Sequence, residues 1–116
     1  MKWDGVSKIV SQSDLEILHS VEPDRPNNRF NDGKTDPTGR IFAGTMGSQV
    51  NGVWEQRRGS LYSVGKDRKL KTVLPDIGIA NGLAWSEDAK TFYYIDSLAY
   101  TVDALDYDIT TGEASK

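Results

Sequence analysis

The chain has 116 residues, 37% apolar and 27% charged, which allows one modest core and falls outside the range of disordered sequences. Its net charge of −3, with acids and bases interspersed, argues against nucleic acid as a partner, because a duplex-binding surface needs clustered cations. The absence of cysteine excludes disulfides, thiolate metal sites and a thiol nucleophile, and no apolar run has the length of a secretory leader or a bilayer span.

No membrane partner is therefore expected, and the expected location is cytoplasmic. The only basic runs, Arg57-Arg58 and Lys66 to Lys71, read as solvated hairpin tips.

In chain order, short runs with apolar residues at alternate positions predict strands, each closed by Gly, Asp, Asn or Pro. They fall at Ser7 to Val10, Leu15 to Ser20, Asn31 to Thr35, Arg40 to Thr45, Ser60 to Val64, Leu70 to Leu74, Gly82 to Trp85, Phe92 to Ile95 and Thr101 to Tyr107. Thr91 to Asp96 is aromatic and β-branched with no charge in its apolar core, as expected of a strand covered on both faces. Asp36-Pro37-Thr38-Gly39, Gly65-Lys66-Asp67, Ser86-Glu87-Asp88-Ala89 and Thr110-Thr111-Gly112 are predicted tight turns. No segment carries a helical period, so the fold class is all-β.

The pieces repeat. Asp32-Gly33 followed by Arg40-Ile41-Phe42 is echoed by Asn81-Gly82 followed by Lys90-Thr91-Phe92, about 49 residues on. Leu61-Tyr62 before its turn is echoed by Leu105-Asp106-Tyr107, about 44 residues on. Four antiparallel strands per repeat of this length is the pattern of a propeller blade, and the chain supplies between two and three. Both ends fall inside a blade, with only an outer hairpin at the start and an outermost strand due to begin at Glu113. Residues 1–116 thus read as a partial propeller domain lacking N-terminal and C-terminal blades, whose open edges invite self-association.

Asn81 opens an apolar strand, where innermost strands line a channel, and its amide oxygen is a hard, neutral ligand for a divalent cation. The competing reading is a turn, and the dipeptide alone favours it, since Asn-Gly is the commonest hairpin pair. Asn31 and Asp32 sit one repeat earlier, so polar side chains from successive inner strands are placed to converge. The competing readings are a surface ion pair for Arg29 and a turn or strand cap for Asp32.

Residues 47–55 lack alternation and read as a loop over one channel end, either a lid or a variable connection. His19 reads as a satisfied structural imidazole in an outer strand, and Trp3, Trp54 and Trp85 as packing area. Asp96, Asp103, Asp106 and Asp108 read as a solvated rim.

Asn27-Asn28-Arg29-Phe30-Asn31-Asp32-Gly33-Lys34, Asp36-Pro37-Thr38-Gly39-Arg40, Phe42-Ala43-Gly44-Thr45-Met46, Gly59-Ser60-Leu61-Tyr62-Ser63, Asn81-Gly82-Leu83-Ala84-Trp85-Ser86 and Phe92-Tyr93-Tyr94-Ile95-Asp96-Ser97-Leu98 occur in that order. Together with Tyr100 to Ala104 and Asp106-Tyr107-Asp108, they make essentially the whole chain resemble the senescence-marker-protein/gluconolactonase family, which includes the regucalcins and the insect luciferin-regenerating enzymes.

The resemblance implies a six-bladed β-propeller that hydrolyses sugar lactones with one divalent cation, calcium or zinc, with manganese and magnesium as further candidates. It implies Asn81 as a direct metal ligand, Arg29 and Asn31 as substrate-binding residues, and Asp32 one layer behind them. It draws a metal-binding glutamate from an earlier blade, and from a later one an aspartate that serves as ligand and general base. No catalytic residue is therefore expected within this chain. The family's acidic residue near Gln49 is missing, which bears on substrate preference.

The expected function is that of a fragment of a metal-dependent lactonase, inactive as a 116-residue chain with weak or no metal binding. The alternatives are a non-catalytic truncated propeller and a binding scaffold assembled from three copies.

Overall fold

The structure is a computed structural model and describes Ser13 and residues 15–115. The predicted strand Ser7 to Val10 and Trp3 lie outside the described residues. Ten strands form in chain order: β1 Arg29–Thr35, β2 Ile41–Met46, β3 Gln49–Val50, β4 Val53–Trp54, β5 Gly59–Val64, β6 Leu70–Ile77, β7 Ala80–Trp85, β8 Thr91–Asp96, β9 Thr101–Asp108 and β10 Glu113–Ser115. They build two four-stranded antiparallel sheets, ordered β1-β2-β5-β6 and β7-β8-β9-β10, with the small hairpin β3-β4 inserted into the first.

Both sheets are meanders, so every ladder joins strands that are close in sequence and each turn has only to reverse the chain. In the first turn Gly39 takes φ +85°, and the Asp36 carbonyl accepts its N–H at 3.0 Å. The corresponding turn in the second sheet places Ala89 at φ +54°, where a side chain is disfavoured and glycine is not. The outermost strand due at Glu113 does form, pairing Ala114 with Tyr107.

Three expectations change. Leu15 to Ser20 forms no strand and makes no ladder with the described residues; Ile17 and Leu18 instead line a hollow with Ile41, Tyr62 and Val64 of the first sheet. Among the described residues this leaves two four-stranded sheets and no part of a third blade. Residues 47–55 are not an unstructured loop but the β3-β4 hairpin, turned at Asn51 (φ 52°) and Gly52 (φ 79°), the double positive φ of a tight two-residue hairpin. Glu55 fastens its base, accepting the Ser48 backbone N–H and hydroxyl, both at 3.1 Å.

The third concerns the repeat. Phe42 and Phe92, matched in the sequence echo, do not occupy equivalent positions. They face each other across the sheet interface with ring centroids 5.5 Å apart. The β7-β8 connection runs one residue longer than the β1-β2 one, with Thr35 paired to Ile41 but Trp85 paired to Phe92, so alternation turns the two rings in opposite senses.

The core lies between the sheets. Phe42, Leu61, Leu83, Phe92, Tyr94, Leu105 and Tyr107 are buried there, and Trp85 stacks on Phe92 at 4.9 Å. Where Asn81 lies, bulk gives way to small residues: a side chain on Gly44 would meet the Cβ of Ala80 at 2.3 Å, so only glycine lets β2 approach β7 so closely.

Candidate functional site

The inner edge strands β1 and β7 meet along a seam, and polar side chains bond in series across one end of it. The Arg29 guanidinium donates to Asn31 Oδ1 at 3.0 Å. Asn31 Nδ2 donates to Asn81 Oδ1 at 3.2 Å and to the Ala80 carbonyl at 2.8 Å, and Asn81 Nδ2 donates to Ser97 Oγ at 2.9 Å. Asn31 stands at an irregularity in the β1-β2 ladder, which passes from Phe30 directly to Asp32. Such a bulge re-aims a side chain out of strict alternation.

A second bulge lies between Asn81 and Leu83, where Gly82 adopts φ +44°. The Asn81-Gly82 dipeptide is therefore part of a strand and not a hairpin turn. Asp32 joins the two bulges: its Oδ1 accepts the Gly33 N–H at 2.8 Å and its Oδ2 the Gly82 N–H at 2.9 Å. It thus clamps the backbone beside Asn81 and fixes how that amide is presented.

The sequence-derived residues Arg29, Asn31, Asp32 and Asn81 are all brought together here. Ser97 was not anticipated; a short hydroxyl residue directly after β8 was its only signal in the sequence. Asp96 departs from the expected solvated rim. Its carboxylate is half-buried and accepts the Gly78, Ile79 and Leu98 N–H groups at 2.8, 3.0 and 3.1 Å, holding the connection into β7. Asp108 behaves as a turn cap, accepting the Thr110 N–H at 2.8 Å. His19 lies in no strand and is exposed, with its Nε2 2.6 Å from the Arg68 carbonyl.

An asparagine oxygen suits calcium or magnesium as one ligand of several. Among the described residues, however, no three His, Cys, Asp or Glu side chains are grouped to hold a metal, and Asp32 and Asp96 are committed to backbone N–H groups. These residues do not make a cation site by themselves. They offer one neutral oxygen ligand, backed by a hydroxyl and a carboxylate, with a guanidinium and an amide alongside it.

The opposite end of the seam is tied by charge. Asp36 has a fully buried side chain, and its Oδ2 takes a 2.6 Å ion pair from Arg40 and a 2.7 Å bond from the Tyr107 hydroxyl on the second sheet. Burial opposes the Asp36 charge, but the bonds from Tyr107, Thr38 and the Arg40 backbone outweigh it and hold its pKa below the ordinary value. Burial, then the bond to Asp36, pushes Tyr107 up to about 12. Arg40 continues to the Thr110 carbonyl at 3.3 Å.

Two repeated β-meanders joined face to face, with amides converging at one end of the inner edge, define a class of stacked-sheet repeat protein. A family model described as the SMP-30/gluconolactonase/LRE-like region matches residues 4–116, and the chain belongs to that family. Regucalcin of Macaca fascicularis is 49% identical over 116 residues, 99% of this chain and 36% of the relative. Regucalcin of Homo sapiens is 53% identical over 100 residues, 85% of this chain and 33% of the relative. The chain thus spans about a third of the length of the curated relatives it matches.

Among solved structures, a luciferin-regenerating enzyme aligns with a TM-score of 0.84 and 46% identity, over 98% of this chain and 36% of its own. A calcium-binding protein, regucalcin, of Agrobacterium tumefaciens aligns with a TM-score of 0.74 and 33% identity, over 86% of this chain and 32% of its own.

Proposed function

We propose that these residues form two blades of a six-bladed β-propeller lactonase, a cytoplasmic enzyme that hydrolyses cyclic sugar esters with a bound calcium or zinc ion. The observation that carries this reading is the continuous series Arg29–Asn31–Asn81–Ser97, which crosses from β1 to β7 and on to the residue after β8. A guanidinium and an amide at one point can donate to a lactone carbonyl and to ring hydroxyls and accept from the latter, which orients a sugar ester. Asn81 would contribute one oxygen to such an ion, with Ser97 bonding its amide and Asp32 clamping the adjacent Gly82 backbone to hold that amide in place. The carboxylates that complete the ion's shell, and the base that activates water, belong to the remaining two-thirds of a regucalcin-length fold. The 116-residue chain by itself is inactive.

A chimaera tests this. The corresponding third of a regucalcin is replaced by this chain, and gluconolactone hydrolysis is followed with calcium or zinc and with chelator. The chimaera is expected to be active, to stop with chelator, and to lose at least about tenfold in kcat/KM on Asn81→Ala, the scale of losing a metal ligand or its support. A folded chimaera that binds the ion but shows no hydrolysis defeats the lactonase reading. Activity in the unassisted chain defeats its status as one part of a larger site.

A further inference from the structure

A second cleft opens at the Asp36 end of the molecule, between the turns that close the outer hairpins of the two sheets. Its volume is about 390 Å³, the lower part of the range of small-molecule sites and larger than one simple anion requires. One wall is the β5-β6 turn and the start of β6, carrying Lys66, Lys69 and Lys71. The other is the β9-β10 turn with Thr110 and Thr111, and Arg40 reaches between them.

The cleft inverts the chain's overall charge of −3. Among the described residues, none of the three lysine ammonium groups has a carboxylate within ion-pairing distance. Two acids also line it. Asp67 is engaged in its own turn, accepting the Lys69 N–H at 3.1 Å, and Glu113 stands on the opposite wall. Three unpaired cations facing hydroxyl groups across a concave wall focus positive potential where neutral and charged donors can both reach a ligand.

We propose that this cleft binds a small molecule bearing a phosphate group, with the lysines on the phosphate oxygens and the threonine hydroxyls and Glu113 on the rest of the ligand. Among the described residues, the lining comes from these two sheets and their turns, and the proposal is independent of the lactonase reading. Arg40, ion-paired to Asp36, bonds the Thr110 carbonyl on one of these walls at 3.3 Å.

The 116-residue chain is titrated at low ionic strength with inorganic phosphate, pyrophosphate and glycerol phosphate, following the Thr110 and Thr111 amide resonances. Saturable shifts are expected. Lys69→Gln/Lys71→Gln should bind at least about tenfold more weakly, the scale of losing two charge-assisted contacts. Lys34→Gln/Lys90→Gln removes the same charge outside the cleft and should bind as wild type. If inorganic phosphate binds as tightly as glycerol phosphate, the site takes free phosphate; if glycerol phosphate binds more tightly, it takes a phosphorylated metabolite. Unsaturable shifts, or equal weakening in both double variants with unchanged melting temperatures, overturn the proposal.

Discussion

At one end of the β1–β7 seam, Arg29, Asn31 and Asn81 bond in series on a partly open edge; at the other, the Asp36 carboxylate has no exposed surface and is held by Arg40 and Tyr107. Both ends tie the same two sheets, but by different physics. A buried carboxylate stripped of its partners leaves an uncompensated charge, so the Asp36 end is fixed by stability. An amide chain open to water is worth little to folding, because solvent replaces its bonds on unfolding at small net cost. In the proposed reading, such a chain supplies orientation for a ligand. The contrast therefore separates a cluster that stability requires from one that stability does not require.

The sharpest way to break this contrast is Arg40→Ala, which strands the buried Asp36 carboxylate. It should cost about 3 kcal/mol or more, read as a lower urea midpoint. A loss no larger than that of a surface substitution would place the seam's strength elsewhere.

Tyr107→Phe comes next, at about 2 kcal/mol for a bond to a charged acceptor. It also carries a pH signature. The folded-state pKa of Asp36 is depressed, so its contribution is present above the ordinary value of 3.8 and is lost as pH falls through the lower folded value. The Tyr107 pKa is raised, so its contribution is present below 10.0 and is lost as pH rises towards about 12. Removing the hydroxyl should flatten the alkaline limb of the stability curve and shift the acid limb upward.

Asn31→Ala should cost less than about 1 kcal/mol, since its bonds are solvent-accessible. In the regucalcin chimaera it should raise KM for the lactone while leaving metal affinity within about threefold, a change of less than 1 kcal/mol. A stability loss matching that of Arg40→Ala would erase the distinction between the two ends. The smallest effect is a gain: Ala89→Gly relieves a left-handed alanine and should stabilise by up to about 1 kcal/mol, visible as a small rise in melting temperature.

How much of this was legible beforehand depended on which interactions are local. Alternation and turn chemistry place the strands of both sheets, because each ladder joins chain neighbours, but they stop β6 at Leu74 where it runs to Ile77 and start β1 and β7 two residues late. The inner-edge residues Arg29, Asn31 and Asn81 were found through motif order, and spacing alone would have called Asn81-Gly82 a hairpin. The hairpin turn at Asn51-Gly52 leaves no such signal, because its strands have two residues each, too short to show a period.

Illegible were the partners distant in sequence. Asp36 looks like an ordinary turn opener, and nothing near it announces Tyr107, 71 residues away. The Phe42 and Phe92 echo misled for a related reason: a one-residue difference between connections changes which face a side chain takes, and sequence similarity does not register facing.

The two Asn-Gly pairs also predict how the molecule ages. Deamidation of such a pair requires the glycine nitrogen to attack the asparagine side-chain carbon. At Asn81 that nitrogen is bound to Asp32 Oδ2 and the amide is held by Asn31 and Ser97, whereas Asn51 is exposed at a hairpin tip. Stored protein should therefore accumulate isoaspartate at residue 51 while residue 81 keeps its amide, so that the clamp on the β7 bulge doubles as chemical protection for that amide.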